Sequence, residues 1–139
     1  MRKVYFASGM ENMSLEEVRA RYLKTADLLE SHGFEMVNRR VQERYFDQPC
    51  NSIERIRQVV EDDLKALREC DLLLVDYSIP DRNYVGSTCE IVYAHLWGKP
   101  VVVYVEESNN DQRCWLRYHA TYICKTLSQA LKYMVSNYR

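Results

Sequence analysis

The stretch that most constrains the fold runs from Asp71 to Val105, "DLLLVDYSIPDRNYVGSTCEIVYAHLWGKPVVVYV". Its two ends, "LLLV" and "VVVYV", are continuous apolar runs of strand length rather than alternating ones. Strands that read this way are covered on both faces, which is the habit of parallel sheets. Between them lies a turn at Gly86-Ser87, a helical pattern over 87–97 and Gly98 as a stop. Two parallel strands need such a crossover, so the segment predicts a βαβ unit.

The same rhythm extends in both directions. "KVYFAS" (3–8) reads as a buried strand. The helix at 14–33 opens on a capping box, Ser14 and Glu17, and meets Gly33. "FEMVN" (34–38) is a short strand, residues 39–50 a connecting loop, and 51–70 a second long helix that begins around Asn51 and Glu54. Strands are expected at 71–78, 101–105 and near 121–124, and a last helix opens at Thr126 and Gln129. The expectation is a doubly wound α/β domain, Rossmann-like or flavodoxin-like, with a parallel five-stranded sheet and helices on both faces. One domain is expected to span 1–139.

Charge and cysteine usage narrow the class. The formal net charge is −1 and no basic stripe stands out, which disfavours a nucleic-acid surface. No stretch approaches a membrane span, and "MRKVYFASGM" lacks a signal-peptide core, so a soluble, cytoplasmic protein is expected. The five cysteines form no C-x-x-C pair and read as free thiols, mostly packed as small hydrophobes. Neither a metal nor another cofactor is expected. There is no G-x-S-x-G, G-x-G-x-x-G or G-K-[ST] motif, so support is lost for a serine elbow, a dinucleotide site and a P-loop.

In a doubly wound sheet the ligand crevice lies at the carboxyl ends of the strands. That rule selects the segment from Ala7 to Met10, with Ser8 and Gly9 in a turn, and the segment from Asp76 to Ser87. The helix start at Gly86 and Ser87 offers free amides to an oxygen-rich group. Each acid there has two readings. Glu90 falls in "STCE", a possible capping box, yet it also stands at the mouth of a nearly all-apolar helix, where it would line a crevice. In the second helix the apolar stripe is expected to be Ile53, Ile56, Val60, Leu64 and Leu67. Asp62 then faces solvent and Asp63 lies at the stripe's edge, as a structural acid or as one aimed at the crevice. Asp76 ends its strand as a turn residue or as a ligand for ribose or a base edge.

Taken together, "KVYFASGM", "EDDLKALRECDLLLVD" and "GSTCEIVYAHLWGKPVVVY" resemble the nucleoside 2-deoxyribosyltransferases and the related 2′-deoxynucleoside 5′-monophosphate N-hydrolases, in the same order over residues 3–105. The resemblance implies cleavage or exchange of an N-glycosidic bond. It makes Glu90 the nucleophile that forms a glycosyl-enzyme intermediate, Asp63 the residue that positions substrate and manages the leaving base, and Tyr5 the group that orients the nucleophile. The small-molecule substrate would be a 2′-deoxynucleoside or its monophosphate, met by Ser8, Gly9, Met10, Asp76, Gly86 and Ser87. One departure stands out: relatives that bind a 5′-phosphate carry serine and arginine after the first strand, whereas this chain has "SGMENM", with Glu11 near the arginine's place. A nucleoside, or an unusual nucleotide, is therefore favoured. The alternative on the same fold is a non-catalytic binder of a nucleotide or nucleotide-derived signal. A homodimer or larger homo-oligomer is expected from the apolar third helix and from Tyr84, Tyr93, Tyr104, Tyr118, Tyr122, Tyr133 and Tyr138, which exceed what a small core needs and suit an interface at the surface. The resemblance agrees, since relatives share residues between subunits.

Overall fold

A computed structural model describes residues 1–10, 12–39 and 51–139. Glu11, Cys50 and nearly all of the connecting loop lie outside the described residues. In chain order the elements are β1 (Arg2–Ser8), α1 (Leu15–Ser31), β2 (Phe34–Met36), α2 (Ile53–Glu69), β3 (Leu72–Asp76), α3 (Val85–Leu96), β4 (Val101–Tyr104), a 3-10 turn at Asn110–Gln112, α4 (Cys114–His119), β5 (Tyr122–Cys124) and α5 (Leu127–Tyr138). The strands form a single five-stranded sheet in the order β2-β1-β3-β4-β5. Every pairing is parallel.

Side-chain alternation splits the core into two layers. Val4, Phe6, Leu72, Leu74 and Tyr104 face α1 and α5. Tyr5, Ala7, Leu73, Val75 and Val103 face α2 and α3. The order reverses direction between β1 and β3, so the chain leaves neighbouring strand ends toward opposite faces and opens a crevice there. Both capping boxes are formed, by Ser14 with Glu17 and by Thr126 with Gln129. After β2 the ladder is continued by a side chain. Asn38 accepts from the Phe6 amide at 2.9 Å and donates to the Phe6 carbonyl at 2.7 Å, an amide standing in for a peptide group.

The structure corrects several local expectations. α2 is capped by Ser52, not Asn51. Its apolar stripe holds only at the C-terminal end: Leu67 is buried and Leu64 packs against the core, while Ile53, Ile56 and Val60 are exposed and Val59 and Ala66 are buried instead. Asp63 shares a face with Val59, Ala66 and Leu67. α3 begins at Val85 with Tyr84 as its N-cap, because Gly86 continues the helix instead of breaking it. Glu90 is thus in the second turn, and Ser87 does not cap the helix. Of the tyrosines expected at a surface, Tyr84 and Tyr104 are buried, whereas Tyr93 and Tyr118 are exposed. Cys70 and Cys124 are buried, but Cys89 and Cys114 are exposed. No helix among the described residues is long and apolar enough to cross a membrane.

Candidate active site

A cleft of about 230 Å³ opens at the β1/β3 switch point, lined by Ser8, Gly9, Met10, Tyr22, Asp63, Asn83, Tyr84, Val85, Gly86, Ser87 and Glu90. Its position follows from the topology. β1 ends at Ser8 and contributes the Gly9 turn. α2 and α3 contribute Asp63 and Glu90 from the opposite face. The segment before α3 closes the rim.

Glu90 is held from the sheet. The Tyr5 hydroxyl, on a fully buried side chain in the middle of β1, donates to Glu90 Oε2. This contact fixes the carboxyl with a group that has almost no freedom to move. Burial pushes the Glu90 carboxyl up to about 8; the hydrogen bond from Tyr5 opposes this, and the negative charge of Asp63 adds to it. The Tyr5 phenol is driven well above its ordinary value by burial first, then by Glu90 and Asp63. Tyr22, on α1, is raised for the same reasons in the same order. Four elements, β1, α1, α2 and α3, thus converge on one electrostatic unit of two carboxyls and two phenols.

Gly9 is required by close approach. A Cβ there would fall 2.8 Å from Tyr84 Cε1 and 3.0 Å from Arg82 Cδ. Tyr84 has little room to yield: it is buried, its ring lies 4.2 Å from that of Tyr77, and its hydroxyl accepts from the Ile79 amide at 3.1 Å. No side chain caps the N-terminus of α3. Its first-turn residues Val85, Gly86 and Ser87 therefore present amides at the cleft wall.

Of the residues selected from sequence, Ser8, Gly9, Met10, Asp63, Gly86, Ser87 and Glu90 line the cleft, and Tyr5 lies directly behind Glu90. Asp76 does not line it. It is 4% exposed, with Oδ1 accepting from the Ser78 amide at 2.9 Å and Oδ2 facing Arg21 Nη1 at 3.3 Å. Tyr22, Asn83, Tyr84 and Val85 line the cleft without having been singled out. Tyr22 passed for an ordinary member of α1's apolar face, while the other three fall inside the segment that the strand-end rule selects. His95 is exposed, and His119 is buried with Nδ1 2.7 Å from the Trp115 carbonyl. No metal-holding cluster of His, Cys, Asp and Glu occurs among the described residues.

No curated protein matches the sequence significantly. The solved structures that share the fold include two enzymes. A 2-deoxyribosyltransferase from Bacillus psychrosaccharolyticus superposes with a TM-score of 0.72 at 19% identity, covering 99% of this chain and 92% of its own. The CMP N-glycosidase of Clostridium botulinum superposes with a TM-score of 0.54, also at 19% identity, covering 96% of this chain and 97% of its own. The family profile named nucleoside 2-deoxyribosyltransferase matches residues 4–131, nearly the whole sheet and its helices, and the chain belongs to that family.

Proposed function

We propose that this protein cleaves or exchanges the N-glycosidic bond of a 2′-deoxynucleoside or its monophosphate, with Glu90 as the nucleophile. The observation that carries the reading is the Glu90 carboxyl, held by the Tyr5 hydroxyl and close to Asp63 at the switch-point cleft. In its ionised form Glu90 attacks the anomeric carbon. A C–O bond forms as the C–N bond breaks, and the bond's electrons leave with the base, which takes up a proton that Asp63 helps to deliver. Water or a second base then attacks the same carbon and releases Glu90. Tyr5 keeps one Glu90 oxygen occupied, so the other faces the substrate.

A nucleoside fits the lining best. Among the described residues it carries two carboxyls and no Lys or Arg side chain, so a phosphate dianion gains no direct charge partner there. One observation favours the monophosphate instead: Arg82, packed beside Gly9, has its Nη1 buried without a hydrogen-bond partner. A second copy of the chain is proposed to cover the exposed side chains of α3 and α4, notably Leu96, Trp115 and Tyr118.

The test is a panel of 2′-deoxynucleosides and their monophosphates, each with and without a second free base, resolved by chromatography. Free base identifies hydrolysis, and a new nucleoside identifies transfer. Glu90→Ala is expected to fold and to lose turnover. Full turnover by a folded Glu90→Ala protein removes the nucleophile assignment, and no turnover by the unaltered protein favours a non-catalytic binder.

A further inference from the structure

The ends of β1, β3 and β4 carry polar side chains where apolar ones would continue the core. Ser8 pairs in register with Asp76, and Asp76 with Tyr104. By strand alternation all three project toward α1, on the same side as Phe6, Leu74 and Tyr104's own core neighbours. Arg21 reaches into this row from α1. Its Nη1 lies 2.9 Å from Ser8 Oγ, to which it donates, and 3.3 Å from Asp76 Oδ2. Asp76 is anchored in turn by the Ser78 amide and pairs in register with Tyr104.

An ion pair that served only to neutralise Asp76 would end at that carboxylate. Here the same nitrogen also bonds Ser8, which is 7% exposed and lines the cleft. A serine oxygen that accepts from a guanidinium keeps its own O–H as a donor, and the charge behind it strengthens that donor. The opposite wall carries acceptors, Asp63 and Glu90. The cleft is thereby polarised, with an aimed hydroxyl donor at the β1 end and carboxyls at the other.

We infer that Arg21 is a positioning residue for substrate binding: held by Asp76, it orients the Ser8 hydroxyl to donate to an oxygen of the substrate's sugar portion. This inference rests on the glycosidic reading given above. It assigns Asp76 a part in recognition through Arg21 and Ser8, without contact with the ligand.

Steady-state kinetics of Arg21→Met, Arg21→Lys, Ser8→Ala and Arg21→Met/Ser8→Ala test it, each on a nucleoside and on its monophosphate. Ser8→Ala and Arg21→Met should each raise KM about tenfold with kcat nearly retained, the size of one charge-supported hydrogen bond. The double variant should be no worse than Ser8→Ala, because Arg21 acts through Ser8. Lysine at position 21 should recover most of the lost binding. An effect shared by both substrates identifies a sugar oxygen as the acceptor and supports the inference, whereas one confined to the monophosphate identifies a phosphate oxygen and overturns the sugar assignment. Should Arg21→Met fail to fold with Asp76 left unpaired, Arg21→Met/Asp76→Asn removes the stranded charge and must show the same rise. An unchanged KM in a folded Arg21 variant, or effects that multiply in the double variant, overturns the inference while leaving the function intact. No turnover by the unaltered protein overturns both.

Discussion

Replacing Glu90 by glutamine should make the protein more stable, and increasingly so as pH rises. In the folded chain the Glu90 carboxyl keeps its proton up to about 8, against an ordinary value of 4.5. Between those values the folded state binds a proton that the unfolded state has released, so the glutamate lowers stability progressively as pH increases. Below the lower value the contribution vanishes, and above the upper one it is complete. The interval corresponds to about 5 kcal/mol at most, of which roughly 3 kcal/mol is already present at neutral pH. Glutamine keeps the shape and an acceptor for Tyr5 but has no proton to lose. Urea unfolding of both proteins at pH 5, 7 and 9 reads the effect as a gap in unfolding free energy that is small at pH 5 and widens by about 3–5 kcal/mol toward pH 9. A constant offset, such as an altered bond to Tyr5, leaves the slope unchanged. A gap that stays flat across the range would refute the claim that burial and Asp63 hold the proton on Glu90. By the same titration, turnover that needs ionised Glu90 should rise through neutral pH and level off above about 8.

Asp63→Asn should lower kcat by about a hundredfold or more, with the largest loss for bases that leave poorly; equal rates for good and poor leaving bases would count against the assignment. Gly9→Ala forces a Cβ to within 2.8 Å of the pinned Tyr84 ring, so a destabilisation of about 1–3 kcal/mol is expected by thermal or urea unfolding, together with reduced turnover. Light scattering at micromolar concentration should give the mass of a dimer or larger assembly, and Trp115→Glu, which places charge on a side chain 72% exposed in the single chain, should shift it toward monomer. A monomeric mass with full activity would show that the site is self-sufficient.

The order of strands and helices was legible because buried parallel strands leave continuous apolar runs, as in "LLLV" and "VVVYV". The carboxyl-edge rule then drew Ser8, Gly9, Ser87 and Glu90 toward one crevice before any coordinates. The facing of α2 was not legible. Ile53, Ile56 and Val60 make as good a helical stripe as Val59, Asp63, Ala66 and Leu67, and periodicity does not choose between two such stripes. Asp76 had a turn reading and a ligand reading; it makes the turn bond to the Ser78 amide, and its pairing with Arg21 was not legible because Arg21 comes from another element and no local pattern links the two. Tyr22 was hidden by its own hydrophobicity, since a phenol that joins an apolar face can still end at a cleft.

The side-chain amide of Asn38 has a consequence for how such a chain can vary. Because it satisfies both backbone groups of Phe6, the hydrogen-bonded edge beside β1 is completed before the link to α2 begins. The sheet's register does not depend on the length of that link. Closing a longer link costs only about 0.6 kcal/mol for each doubling. A change in the length of the link between Asn38 and Ser52 is therefore compatible with the β1–β2 register, and Asn38 is the position that must stay fixed for that freedom to exist.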